Sequence, residues 1–152
     1  MLKGKHLMKR ILGIDYGDAR TGISITDALN ITAQGLETIY NNGSDKVILK
    51  KLDEIFSNYE VDTIVIGRPI NMNGTESERT EITDKFIHKL KCKYNMLKIE
   101  TIDERLTTVA AHKTMNLLDV NKYKKKNIVD TISAVYILET YLNKLNFNKS
   151  SN

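Results

Sequence analysis

Two rhythms of hydrophobic and polar residues take turns along this chain, one of period two and one near 3.6. Ile11 to Gly17 reads Ile-Leu-Gly-Ile-Asp-Tyr-Gly; as a strand it puts Ile11, Gly13, Asp15 and Gly17 on one face and Leu12, Ile14 and Tyr16 on the other. Both faces are apolar or small, the pattern of a central strand covered on both sides. Thr21 to Asp27 alternates with Ile23 and Ile25 on one face, and the tight turn Gly17 to Arg20 joins it to the first strand. A third extended piece, Gly35 to Tyr40, stops at the turn signal Asn41-Asn42-Gly43, so the chain opens as an antiparallel meander. Ser44 then reads as the cap of a helix with Ile48, Leu52, Ile55, Phe56 and Tyr59 at helical spacing. Val61 to Gly67 follows as a second buried strand, and a connection through a helix makes it parallel to the first and beside it.

The loop Arg68 to Gly74 lies at the C-terminal end of that strand, where open α/β sheets place their ligands. Thr75 with Glu78 reads as a capping box for a helix that turns Ile82, Phe86 and Leu90 inward. Leu97 to Ile102 is a fifth, edge-like strand; Thr107 or Thr108 then caps a helix through Ala110, Thr114 and Leu118. The last helix runs from Ile128 to about Asn146, with Asn127 as its cap. The expected fold is α/β: a five-stranded mixed sheet of order 3-2-1-4-5, helices on both faces, the first three strands antiparallel and the last two parallel to the first. One domain is expected over residues 1–152, with an extension over 1–8 and a polar tail over 147–152.

Composition narrows the class. One proline and 8 glycines leave no linker-like stretch, and no apolar run approaches the roughly 20 residues of a membrane span. The basic N-terminal residues lack the apolar core of a signal peptide, so a cytoplasmic protein is expected. One cysteine, Cys92, and three scattered histidines speak against a disulfide or a structural zinc. With 23 Lys and Arg against 19 Asp and Glu, the net charge of +4 leans toward an anionic partner. Lys122, Lys124, Lys125 and Lys126, with Tyr123 among them, form the densest basic run: a grip on a phosphate backbone or a solvated loop.

Three carboxylates stand out. Asp15 ends the first strand, Glu104 follows the fifth, and Asp130 heads an apolar face of the last helix, so all three can converge on one sheet edge. Two of them have a plainer reading: Asp15 as the start of a turn, Asp130 as a first-turn residue that favours the helix dipole. Clustered carboxylates repel unless a hard divalent cation such as Mg²⁺ or Mn²⁺ sits among them. Two such ions about 4 Å apart serve phosphodiester hydrolysis.

Four blocks, Gly13-Ile-Asp-Tyr-Gly-Asp-Ala-Arg-Thr-Gly22, Gly67-Arg-Pro-Ile-Asn-Met-Asn-Gly-Thr-Glu76, Asp103-Glu-Arg-Leu-Thr-Thr108 and Val129-Asp-Thr-Ile-Ser-Ala-Val135, resemble the YqgF family in order and spacing. The resemblance spans Lys9 to Leu142, with Asp103 to Thr108 the most specific block. It implies a ribonuclease H-like nuclease, a class described both as candidate Holliday junction resolvases and as pre-16S ribosomal RNA nucleases. It further implies that Asp15, Glu104 and Asp130 are the catalytic and metal-binding carboxylates, with Mg²⁺ or Mn²⁺ as cofactor. Arg20 and Gly22, Asn73 and Gly74, and Arg105 are then site-shaping positions. Substrate contacts are expected from Arg20, Arg68, Asn73, Arg105, Lys124, Lys125 and Lys126. Thr21, Arg68 and Asn73 depart from the family pattern, which usually has an aliphatic residue, Leu and Asp there; Arg68 is expected to be exposed or to add a phosphate contact.

Three functions stay open. The first is maturation of the 5′ end of precursor 16S rRNA by a metal-dependent endonuclease, in company with ribosomal precursor particles. The second is resolution of four-way DNA junctions, which calls for a two-fold dimer with a sizeable apolar patch. The third is nucleic-acid binding without catalysis. No apolar surface in the sequence is left over for a dimer, so a monomer acting on RNA, with no membrane partner, is the preferred expectation. A phosphate-binding kinase or ATPase half is a further rival, but its second half is missing.

Overall fold

The computed structural model describes residues 8–107 and 122–150, the latter with side chains for 131–149. Its elements are β1 (Arg10–Asp15), β2 (Arg20–Thr26), β3 (Ala33–Tyr40), α1 (Asp45–Asn58), β4 (Val61–Arg68), α2 (Glu78–Lys93), β5 (Lys98–Asp103), a 3-10 turn (Glu104–Leu106) and α3 (Lys122–Ser150). The sheet has the expected order β3-β2-β1-β4-β5. β1 pairs antiparallel with β2 and parallel with β4; β2–β3 is antiparallel and β4–β5 parallel.

Alternation along β1 sends each set of residues to its own core. Leu12, Ile14 and Tyr16 join Ile48, Leu52, Ile64, Ile66, Phe86 and Leu90 beneath α1 and α2. Ile11 joins Val65, Ile102, Ile137, Leu138, Tyr141 and Leu142 beneath α3. Gly13 lets α3 settle close: a Cβ there would lie 2.2 Å from Ser24 Oγ and 3.0 Å from the Ala134 carbonyl oxygen. Ser24 Oγ uses that closeness to donate to the Ala134 carbonyl at 2.7 Å. From there α3 crosses the sheet, with Thr131 against Gly35 on β3 and Ile137 against Gly67 on β4.

Several expectations need correction. The capping box on α2 is built by Ser77 and Thr80, not by Thr75 and Glu78: Thr80 N donates to Ser77 Oγ and Ser77 N to Thr80 Oγ1. Thr75 instead donates to Asn73 Oδ1, closing a turn two residues earlier. Ser44 does hold the cap position of α1, but its hydroxyl makes no cap hydrogen bond. The backbone of α3 is helical from Lys122, so the basic run is helix and not a preceding loop, and Asn127 is an interior residue and not a cap. Lysine is a good helix former, and nothing in that run breaks a helix. The helix also continues to Ser150, through most of the expected polar tail. The helix expected through Ala110 to Leu118 and the extension over 1–7 lie outside the described residues.

Candidate active site

The C-terminal ends of the parallel strands bring two of the three expected carboxylates together. β1 and β4 run in register to Ile14 beside Ile66, and Asp15 and Gly67 are the next residues on the two strands. On the far side, Gly67 pairs with Ile102 and Arg68 with Asp103, directly before Glu104. Asp15 and the end of β5 therefore flank one strand, with backbones about two strand spacings, roughly 10 Å, apart. Asp15 shares the α3 side with Gly13 and is almost wholly buried, 3% exposed. Glu104 folds inward over β4: a Cβ on Gly67 would lie 2.7 Å from Glu104 Oε2 and 2.6 Å from Ile137 Cδ1. The missing side chain at Gly67 is thus the space into which Glu104 reaches. Asp130 lies on α3 one turn before Ala134, and its side chain is outside the described residues. Among the described residues no three acids, histidines or cysteines stand close enough to hold a metal, and the carboxylate of Asp130 is not among them.

Two loops frame this edge. Asp103 holds Arg105 by paired bonds, from Nε and Nη2 at 3.0 and 2.7 Å to Oδ2, and accepts from the Arg105 backbone N–H. The guanidinium keeps the Asp103 carboxyl below the usual carboxylate range. The same guanidinium brings Nη1 to 3.5 Å from the Cβ position of Gly74, so the expected rim residues of the second and third blocks do meet. Asn73 is exposed, with its side-chain oxygen engaged by Thr75. Arg68 is neither exposed nor free for phosphate: Nε and Nη2 bind Asp84 at 2.8 and 2.9 Å, and Nη2 also binds Glu76 at 2.7 Å. Those bonds raise its pKa, depress that of Asp84, and staple the end of β4 to α2.

The turn after β1 is fastened from beneath by residues whose role the sequence does not announce. Asn41, 2% exposed, donates through Nδ2 to the carbonyls of Gly17 and Asp18 at 2.9 and 3.0 Å. Its Oδ1 accepts from Thr21 Oγ1 at 3.1 Å, which in turn accepts from Gly17 N. The unusual Thr21 therefore has a purpose: it completes a buried polar pair with Asn41, where an aliphatic residue would leave the amide oxygen unpaired. Arg79 on α2 donates to the Tyr16 carbonyl at 2.7 Å and pairs with Asp18 at 3.2 Å. Tyr16 itself points away from the carboxylates, stacks on Phe86 and donates to Asp45; burial, then Asp45, pushes its hydroxyl pKa up. Arg20 begins β2, half-buried, next to this turn. Only the backbone of Lys124, Lys125 and Lys126 is described.

A family model described as "RuvX: Holliday junction resolvase" matches residues 9–144. The chain is 54% identical over 144 residues to the "Putative pre-16S rRNA nuclease" of Ruminiclostridium cellulolyticum, covering 93% of this chain and 99% of that protein. It is 49% identical over 133 residues to the protein of the same name from Acetivibrio thermocellus, covering 88% and 94%. Among solved structures, Thermus thermophilus RuvC in complex with Holliday junction substrate aligns at a TM-score of 0.55 and 10% identity, over 90% of this chain and 96% of that one. The fowlpox virus Holliday junction resolvase aligns at 0.52 and 16%, over 90% and 99%. At such identities the likeness is one of fold, the ribonuclease H-like fold of these resolvases.

Proposed function

The chain belongs to the RuvX family, also called YqgF, and from that premise we propose that it is a divalent-metal-dependent endonuclease that matures the 5′ end of precursor 16S rRNA. Hydrolysis of phosphodiester bonds is the family's chemistry. The observation that carries the reading of the site is Glu104 folded over Gly67 beside the buried Asp15. Glu104, reaching into the side-chain-free spot at Gly67, and the buried Asp15 on the adjacent strand supply hard oxygen donors that fit Mg²⁺ or Mn²⁺, and Asp130 on the facing helix is the natural third. When bound, the cation supplies charge stabilisation at the phosphate and eases ionisation of the attacking water.

The rest falls to the chain. Asp15 and Glu104 hold and orient the acid cluster, and burial of Asp15 fixes its position. Arg105, locked by Asp103 at the rim, presents its remaining N–H groups toward the Gly74 loop, where a phosphate backbone passing the edge can be held. Lys124, Lys125 and Lys126 lie about one turn or more before Asp130 on the same helix and lead that backbone inward. The choice of RNA rests on the two relatives named as pre-16S rRNA nucleases; the resolvase family and the RuvC-like fold favour a DNA junction as the second reading. Purified protein with Mn²⁺ or Mg²⁺ is given a precursor-type single-stranded RNA and a four-way DNA junction side by side. Cleavage of the RNA, lost in Asp15→Asn, is expected; symmetric nicking of the junction with the RNA intact transfers the site to DNA.

A further inference from the structure

Each of the other buried hydroxyls on the described helices has a partner: Thr80 donates to the Pro69 carbonyl. Thr83 donates to the Arg79 carbonyl at 2.9 Å, and the half-buried Thr140 to the Tyr136 carbonyl at 2.8 Å, each four residues back. Ser133 differs. It is fully buried on α3, yet its Oγ has no hydrogen-bond partner among the described residues. A serine hydroxyl can rotate to reach its own i−4 carbonyl, and a buried polar group left unpaired is costly, so the exception calls for a cause.

Its position supplies one. Ser133 stands one turn before Ile137, the residue that closes on Gly67 together with Glu104, and three residues after Asp130. Its immediate neighbour Ala134 is pinned to β2 through Ser24, which fixes this turn of α3 over the sheet. The groups gathered at this edge are carboxylates, which only accept hydrogen bonds, so a lone donor here is chemically matched to oxygens brought in with a cation and its water. Building on the metal-nuclease reading, we propose that Ser133 is a positioning residue of the carboxylate site, whose hydroxyl acquires its hydrogen bond only when a divalent cation and its coordinating oxygens are in place.

The test is Mn²⁺ binding by calorimetry, with metal-free melting of each protein measured alongside, for wild type, Ser133→Ala, Ser133→Cys and Asp15→Asn. Ser133→Ala is expected to melt metal-free at or slightly above wild type, because an unpaired hydroxyl is removed. It is expected to bind Mn²⁺ about 10- to 100-fold more weakly, the usual cost of losing a group that orients metal-bound oxygens. Ser133→Cys, close in size but a weak donor, should follow Ala in affinity, which separates the hydrogen bond from the space filled. An affinity in Ser133→Ala equal to wild type overturns the proposal, and so does wild-type affinity in Ser133→Cys, which would make the role one of packing. Wild-type binding that disappears in Asp15→Asn but is unaltered in Ser133→Ala removes only this inference. If wild type binds no better than Asp15→Asn, the metal reading fails and this inference with it.

Discussion

The two faces of the sheet are made from alternate residues of the same strands, yet they are built for different ends. Toward α1 and α2 the middle of β1 and β4 is large and apolar: Leu12, Ile14, Ile64 and Ile66 are fully buried around Phe86. Toward α3 the same strands offer Gly13, Asp15, Thr63, Val65 and Gly67, and β2 adds Ser24 and Thr26. The first face maximises buried apolar area and is where stability resides. The second gives up side-chain volume so that helix backbone, Glu104 and Asp15 can approach one another, and that is where we place the chemistry.

Substitutions can break this contrast in a graded way. Asp15→Asn should abolish cleavage, by roughly three powers of ten or more in kcat, and adding Glu104→Gln should cost little further, because such groups act as a unit. Unfolding curves of Asp15→Asn should overlay wild type; a variant with near-normal turnover overturns the assignment. Phe86→Ala should show the reverse, a loss of about 3–5 kcal/mol in denaturant melts with turnover of the folded protein preserved. Gly67→Ala sits on the boundary. Its Cβ must displace Ile137 and Glu104, so about 1–3 kcal/mol of stability should go together with a disproportionate fall in kcat. Replacing Lys124, Lys125 and Lys126 by Ala should weaken binding to all sequences alike and flatten the salt dependence by roughly one unit per lost phosphate contact. An unchanged slope returns the run to a solvated helix surface.

The smallest effect concerns the staple between β4 and α2. Arg68 lowers the pKa of Asp84 below its unfolded value, so the pair's contribution is present above the unfolded carboxylate pKa of about 3.9 and is lost as pH falls through the folded value. Asp84→Asn should therefore be less stable than wild type at pH 7, with the gap closing in melts taken as the pH falls below the ordinary carboxylate range. Both partners are partly exposed, so the gap at pH 7 should be modest.

What the sequence made legible was governed by periodicity. The double apolar face of β1, the meander and the helical crossovers led to the observed strand order, and with it Glu104 fell just past the fifth strand; that it reaches over Gly67 shows only in the fold. Local ambiguity explains some errors. Thr75 with Glu78 fits the usual capping template, whereas Ser77 has a threonine three residues on, and only the hydrogen bonds show that Ser77 and Thr80 make the box. Other features depend on partners distant in sequence. Arg68 looked available for phosphate until α2 brought Asp84 against it, and Asn41 read as a turn residue until its amide was found under Gly17 and Asp18. Ser24 and Ser133 carried a faint signal, a hydroxyl in an otherwise apolar stretch, but not what it meets.

The bond from Ser24 to Ala134 joins residues 110 positions apart. During synthesis the sheet strands leave the ribosome before α3. The hairpin of β1 and β2 must therefore wait, its glycine seat uncovered, for nearly the whole chain to be made. Because α3 also carries Asp130 and Ser133, the edge at which we place the nuclease centre is completed last, after every strand that flanks it has been made.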